Sequence, residues 1–199
     1  MATVGKRPPK YDEVEISQRL TILPLAARVL FAAACAERLI PIYHWFCTGA
    51  RQCDFDLVRA ALDFVWSAEG AQQRPDDQLN LWCERLEVLV SSIDEVDSVG
   101  AAVAENAVAC VAYALRAWRA NDPQESIWAA RQLYDAADTI VQDGAATHDY
   151  VCDLENEEPT RLASLWIYST LDEISQMRLN MLRITAQADG QALLELLQA

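Results

Sequence analysis

Each of the two histidines in this sequence has a cysteine at helical spacing. His44 precedes Cys47 by three residues and His148 precedes Cys152 by four, so each pair can share one helix face. Two histidines and two cysteines suffice for a tetrahedral zinc site. The two pairs lie far apart in the chain, whereas structural zinc ligands are usually closely spaced. We therefore favour two unrelated, partly buried histidines over a metal site, and we expect no cofactor.

Residues for catalysis do not form a recognisable set. A cysteine nucleophile needs a base, an orienting third group and an exposed thiolate, and no spacing in the chain predicts that arrangement. The sequence also lacks a Glu-x-x-His motif, a glycine-rich phosphate loop, an EF-hand loop and a G-x-S-x-G turn. We expect no catalytic residues and favour a binding protein. The alternative is a small-molecule or metal-dependent enzyme, or a ligand sensor.

The chain is strongly acidic, with 30 Asp and Glu against 16 Lys and Arg and a net charge of −14. Lys6, Arg7 and Lys10 lie in the first ten residues, which contain no acid, so the remaining chain is more acidic still. Such a surface repels phosphate groups and attracts basic proteins. We predict a basic protein partner, such as a toxin domain, and no direct binding of nucleic acid.

The most acidic stretch covers residues 143–158 and contains no Lys or Arg. We predict that its carboxylates contact the partner: Asp143, Asp149, Asp153, Glu155, Glu157 and Glu158. Trp118 joins this prediction because tryptophan is enriched at binding hot spots and because Arg116 and Arg119 flank it near a predicted helix end. Among the six tryptophans Trp118 is the best candidate for partial exposure, although core packing is the first expectation for any one of them.

Glu37 and Arg38 interrupt the most apolar part of the chain, just before Pro41. One interpretation is a pair that binds a partner or a ligand. The other is a structural ion pair with Arg59 or Asp63 that holds two central helices in register. We favour the structural interpretation, because charges on a buried helix need partners whatever the protein does.

Composition and periodicity predict an all-α fold. Hydrophobic residues make up 52% of the 199 residues, while only 6 Gly and 7 Pro are present. Alanine, leucine, glutamate and arginine recur at helical spacing. We predict one helical domain over 11–199, a multi-helix bundle of about seven to nine helices, preceded by a flexible basic tail over 1–10.

Apolar periodicity and breaker residues place the helices. Pro41 should end or kink the second helix, and Gly144 should end the helix that Asp122 caps, with Pro123 at its first position and Glu125 reaching back. The second and third helices should be central, since both are apolar almost all round. The predicted helices cover about 11–22, 25–40, 55–67, an alanine-rich segment to 119, 123–142 and 159–186, with a short amphipathic tail after 190. A loop and helix start over 74–77 precedes the fourth helix, which has one face lined by Leu79, Trp82, Leu86 and Leu89.

The cysteines and the N-terminus bear on the compartment. None of the six cysteines forms a C-x-x-C pair, and Cys35, Cys83 and Cys110 lie in apolar helical runs, as expected of small buried hydrophobes. The first fifteen residues lack an apolar signal stretch, and the most apolar segment, 25–43, carries three charges. We predict a cytoplasmic protein with six free thiols and no membrane contact, and a homodimer through an apolar helix face is possible.

Two stretches resemble a known bacterial family. Leu23-Pro24 followed by Phe31-Ala32-Ala33-Ala34-Cys35-Ala36-Glu37-Arg38-Leu39-Ile40-Pro41, Tyr43 and Phe46 is similar to the opening of the YjaG-like family, as is 59–66. The similarity is greatest over 20–120 and loose after 143. It implies an all-helical domain of unknown function from the bacterial cytoplasm and supplies no catalytic residues. The acidic segment over 143–158 departs from that family.

Small size, acidity and the missing catalytic motif are typical of bacterial immunity proteins. Such an antitoxin-like protein neutralises a toxin or effector domain by covering it with an acidic face. This is our most concrete expectation for the function of the chain.

Overall fold

The computed structural model describes residues 9–49, 53–67, 76–94, 98–148, 157–176 and 181–198. Within these ranges the chain forms a single all-α domain of eight helices without a strand, which confirms the predicted fold class. The predicted tail over 1–10 lies almost entirely outside the described residues. The helices are α1 (Glu13–Thr21), α2 (Leu25–Gly49), α3 (Phe55–Trp66), α4 (Asp76–Asp94), α5 (Val99–Ala120), α6 (Pro123–His148), α7 (Glu158–Ser175) and α8 (Leu182–Leu197).

Helices α2 and α5 form the centre of the bundle. They pack against each other, α2 also contacts α3, α6, α7 and α8, and α5 contacts α3, α4 and α6. Consecutive alanines such as Ala32, Ala33 and Ala34 are completely buried on α2. Small side chains on every face allow several helices to approach one central helix closely, so the central position predicted for α2 is confirmed.

Short polar side chains begin several of the helices. Asp12 accepts hydrogen bonds from the backbone N–H groups of α1, and Asp54 and Ser98 do the same for α3 and α5. Asp122 accepts one from the N–H of Gln124, as predicted for the start of α6. The predicted return bond from Glu125 is wrong, because its carboxylate instead binds the Arg116 guanidinium, with a nitrogen–oxygen distance of 3.0 Å.

Three predicted helix ends are wrong. Helix α2 continues through Pro41 to Gly49, so its predicted end at about residue 40 is wrong, while the alternative of a kink at Pro41 stays a prediction. Residues around the proline, such as Ile42 and Tyr43, are completely buried, and this packing offsets the missing hydrogen bond. Helix α6 passes Gly144, since no described glycine adopts the left-handed conformation that ends helices. The predicted helix over 159–186 is two helices, and Gly190 lies inside α8 instead of preceding a tail.

One described helix, Val99–Ala120, is long and apolar enough to cross a membrane by length and composition alone. It is α5, whose residues from Val103 to Leu115 are largely buried between α2, α4 and α6. A helix enclosed by protein on several sides has no apolar face left for lipid. The composition of α5 is therefore that of a core helix.

Asn121 ends α5 in the left-handed conformation, with φ 57°, and is the one described residue other than glycine with a positive φ. Its side-chain oxygen accepts a hydrogen bond from the guanidinium of Arg28, which is 8% exposed. The Ser126 hydroxyl donates to the backbone oxygen of Arg28 at 3.1 Å. The turn between α5 and α6 is thereby fixed to α2.

Replacing Asn121 with alanine should lower the free energy of unfolding by about 2 kcal/mol, because it adds left-handed strain and removes a hydrogen bond to a charged group. Asn121→Gly should cost about 1 kcal/mol, since glycine relieves the strain. Urea denaturation of both variants provides the comparison. Equal costs for the two variants would show that the backbone conformation contributes nothing.

The described cysteines fall into two groups. Cys35, Cys83 and Cys110 are free and buried, as predicted. The expectation of six free thiols is wrong, however, because Cys47 and Cys53 form a disulfide bond, with Cα atoms 5.4 Å apart. Cys47 lies in the last turn of α2 and Cys53 lies two residues before α3, so the ends of these two helices bring the cysteines together. Cys152 lies outside the described residues.

Candidate functional site

The candidate metal ligands are only partly described. His44 is exposed and lies against the Phe55 ring, with centroids 4.5 Å apart. Cys47 is held in the disulfide, so no thiolate is available from it while that bond is closed. The His148 side chain and Cys152 lie outside the described part of the structure. Where side chains are described, no group of three or more His, Cys, Asp or Glu could hold a metal ion.

The predicted acidic contact segment is also described only at its ends. Asp143 and Glu158 are exposed, and Glu157 is half-buried. The Glu158 carboxylate lies 3.9 Å from the Arg161 guanidinium, a loose pair on the surface. Asp149, Asp153 and Glu155 lie outside the described residues. Binding through this segment stays a prediction.

Trp118 is buried, so the first expectation of core packing is confirmed and its candidacy for partial exposure is wrong. Its side chain is 4% exposed, and its ring lies 5.2 Å from the ring of Phe64 on α3. The flanking Arg116 and Arg119 point to other partners, since Arg116 binds Glu125 and Arg119 binds Asn80. Two charged neighbours in sequence therefore say nothing about the face that Trp118 occupies, because adjacent residues on a helix point about 100° apart.

A buried carboxylate organises the packing of α2, α3 and α8. Glu37 is 1% exposed and accepts two hydrogen bonds from the Arg59 guanidinium, at 2.6 and 3.0 Å. It also accepts one from the Trp66 indole N–H at 2.7 Å and one from the Gln187 amide at 3.0 Å. These four bonds join three helices at one side chain.

Two half-exposed residues close the outer side of this arrangement. Asp63 accepts a hydrogen bond from Arg59 at 2.7 Å and another from Arg183 on α8. The Arg183 guanidinium also lies 3.4 Å from Glu37 and over the Trp66 ring, 5.6 Å from its centroid. We call this set the Glu37 cluster: Glu37, Arg59, Asp63, Trp66, Arg183 and Gln187.

The Glu37 carboxylate is saturated with hydrogen bonds. A carboxylate has about four lone-pair sites, and four donors already occupy those of Glu37. Burial lowers the pKa of Arg59, but hydrogen bonds and charges from Glu37 and Asp63 outweigh it, so the pKa lies above its ordinary value. Glu37 therefore has no lone pair left for a ligand. The predicted structural pairing of Glu37 with Arg59 is confirmed, whereas Asp63 binds Arg59 and Arg183 and is not the partner of Arg38.

Arg38 forms a second buried pair with α8. It is 1% exposed, and its guanidinium binds Asp189 at 2.8 Å and the backbone oxygen of Ala34 at 3.0 Å. Burial raises the pKa of Asp189, while the nearby Arg38 guanidinium opposes that rise. Together the two pairs fix α8 along α2, which is a structural task.

A groove with a volume of about 430 Å³ lies between α3 and α4. Both helices pack against α5, and the groove is the space between them. We call it the α3–α4 groove, lined by Asp54, Leu57, Glu84, Arg85, Val88, Leu89 and Ser92. The sequence does not predict this groove, because no local pattern in either helix shows that a space remains between the two helices.

The α3–α4 groove combines an apolar floor with charged edges. Leu57 and Leu89 form the floor and are 8% and 9% exposed, while Val88 is 73% exposed at the rim. Glu84 and Asp54 are exposed carboxylates, and the single cation in the lining, Arg85, lies 5.7 Å from the Trp82 ring. Such a surface can hold apolar side chains and attract positive charge beside them.

The helices and their contacts define an all-α domain built around two central helices, α2 and α5. Residues 15–145 match the family described as Protein of unknown function (DUF416), so the chain belongs to this family. A crystal structure of a DUF416 family protein from Shewanella baltica OS155 has the same fold, with a TM-score of 0.73 at 18% identity over 85% of this chain and 92% of that chain. No curated protein matches the chain.

Proposed function

We propose that the chain is a non-enzymatic module that binds a basic, amphipathic segment of a partner protein in the α3–α4 groove. The observation that carries this proposal is the exposed Val88 beside an apolar floor with the carboxylates of Glu84 and Asp54 at its edges. An amphipathic helix can insert apolar side chains between α3 and α4 while its lysines or arginines contact those carboxylates.

The net charge favours the same class of partner. At −14 the chain attracts basic proteins over distance, and carboxylates at the groove edge then favour the docked orientation. Saturation of Glu37 also supports binding over catalysis, because this deeply buried carboxylate has no free lone pair for a substrate.

The most concrete form of this proposal is an immunity protein that neutralises a toxin domain in the bacterial cytoplasm. Its support is the acidity of the chain and the groove. The similarity to YjaG-like proteins is compatible with it. Co-expression with the products of neighbouring genes, scored by growth, tests whether one of them is a toxin that this chain neutralises.

A fluorescent helical peptide of leucine and lysine is a direct probe of the groove. We expect it to bind, and Val88→Arg to weaken its affinity about tenfold or more, because the change adds a cation and blocks the apolar floor. Fluorescence anisotropy at low and high salt measures the affinity, which should fall as salt screens the carboxylates.

Val14→Arg is the matched control, because Val14 is 66% exposed on α1, which packs against α6 and α7. It should leave the affinity unchanged, and a leucine–glutamate peptide should not bind. If the two arginine variants weaken binding equally, or if the glutamate peptide binds as well, the groove is not a site for basic segments.

A further inference from the structure

Two of the described cysteines occupy an environment that the others do not share. Cys47 lies in the last turn of α2 and Cys53 immediately precedes Asp54, the residue that caps α3, and both sulfur-bearing residues are only half-buried. Cys35, Cys83 and Cys110 are at most 2% exposed. A thiol reagent can therefore reach the first two residues in the folded protein and not the other three.

We propose that Cys47 and Cys53 form an exchangeable dithiol–disulfide pair that reacts with a dithiol reductant. A thiolate of the reductant attacks one sulfur of the pair, so a mixed disulfide forms while the Cys47–Cys53 bond breaks and the other cysteine leaves as a thiolate. The second thiolate of the reductant then attacks the mixed disulfide and releases the remaining cysteine. Two electrons pass to the pair, and the reductant leaves as its own disulfide.

Noncovalent contacts hold both ends of the connection, so the pair can close again. The Tyr43 hydroxyl accepts a hydrogen bond from the backbone N–H of Asp54 at 3.3 Å. Phe55 lies against the rings of both Tyr43 and His44, with centroids 6.4 and 4.5 Å away. Because these contacts do not involve sulfur, they keep Cys47 near Cys53 after reduction and favour reoxidation within the same chain.

Burial separates the pair chemically from the other cysteines. It raises the pKa of Cys35 to about 12 and that of Cys110 well above its ordinary value, so neither forms the reactive thiolate at neutral pH. Burial also raises the pKa of Cys83. Exchange is therefore confined to Cys47 and Cys53 among the described cysteines.

The pair adjoins the α3–α4 groove. Asp54 follows Cys53 directly and Leu57 lies one turn further along α3, and both line the groove. Opening the disulfide removes the covalent bond that connects the α3 side of the groove to the end of α2. If the proposed function holds, the reduced protein should bind the leucine–lysine peptide about threefold more weakly, because its groove is less preorganised.

Thiol labelling tests the exchange without reference to any partner. The Cys152→Ser variant is equilibrated in buffers of reduced and oxidised dithiothreitol of decreasing redox potential, labelled in its native state with N-ethylmaleimide and mapped by peptide mass spectrometry. We expect Cys47 and Cys53 to become labelled together in one two-electron transition, and to lose that reactivity again after addition of glutathione disulfide. Cys35, Cys83 and Cys110 should react only after denaturation.

A Cys47→Ser variant in the same background is the control, and circular dichroism checks its fold. Cys53 should then form a mixed disulfide with glutathione after addition of glutathione disulfide and show no two-electron transition. The proposal is overturned if Cys47 and Cys53 are fully labelled before reductant is added, or if they stay unlabelled in excess dithiothreitol. If labelling proceeds as expected but the peptide binds in neither redox state, the proposed binding function of the groove is overturned. The proposed dithiol–disulfide exchange is then still supported.

Discussion

Replacing Glu37 with glutamine should lower the free energy of unfolding by about 3–5 kcal/mol, as expected when one partner of a buried ion pair is removed. Glutamine keeps the size of the side chain but loses the charge and places an N–H₂ group against donors. The Arg59 guanidinium and the Trp66 indole N–H, which bond to Glu37 at 2.6 and 2.7 Å, then compete for one oxygen. Guanidinium denaturation measures the loss.

Asp63→Asn is the matched control. Asp63 accepts a hydrogen bond from the same Arg59 at 2.7 Å, but its side chain is 49% exposed where that of Glu37 is 1% exposed. Water can replace the contacts of Asp63, so this change should cost less than about 1 kcal/mol. Equal small effects at both positions would show that Glu37 is not the carboxylate that organises the three helices.

A double variant distinguishes the free-energy cost of leaving one buried charge without a partner from the net contribution of the ion pair to stability. Glu37→Met combined with Arg59→Met removes both charges and keeps comparable volume. It should be more stable than Glu37→Gln alone, because no buried charge is left without a partner. A double variant less stable than the single one would instead assign the pair a large net contribution.

The sequence predicts those features of the fold that depend on local periodicity. The apolar run around Ala33 places α2 at the centre, and the spacing of Arg59 and Asp63 on α3 predicts that they pair. Asp122 and Pro123 mark the start of α6 because their effects act within one turn.

The parts that the sequence does not predict depend on elements that meet only in the folded chain. Helix α8, which is far from α2 in the sequence, supplies the partners of both buried charges on α2. These partners are Gln187 and Arg183 for Glu37, and Asp189 for Arg38. The Cys47–Cys53 bond and the α3–α4 groove likewise depend on where the helices come to lie. A spacing of six residues does not specify a disulfide without knowledge of the turn.

Gly190 is the clearest example of a residue whose role the sequence does not predict. From the sequence alone it is expected to break a helix. In the structure it lies inside α8, where a Cβ atom added to it would be 2.4 Å from the backbone oxygen of Arg38 and 2.9 Å from the carbonyl carbon. Real Cβ atoms do not approach backbone so closely, and a backbone atom cannot rotate away as a side chain can. The glycine therefore permits α8 to lie directly on α2.

Gly190→Ala should lower the free energy of unfolding by about 2 kcal/mol, because an overpacking cost of about 3 kcal/mol outweighs the gain of about 1 kcal/mol in helix propensity. Moving α8 outward to make room would also lengthen the bond between Arg38 and the adjacent Asp189. Gly49→Ala is the matched control, since a Cβ there meets nothing within 4 Å and should be neutral or stabilising. Thermal and urea denaturation measure both variants. Two alanine variants that are equally stable would mean that α8 does not rest on the backbone of α2, and the contacts of Gln187 and Asp189 would lose their geometric basis.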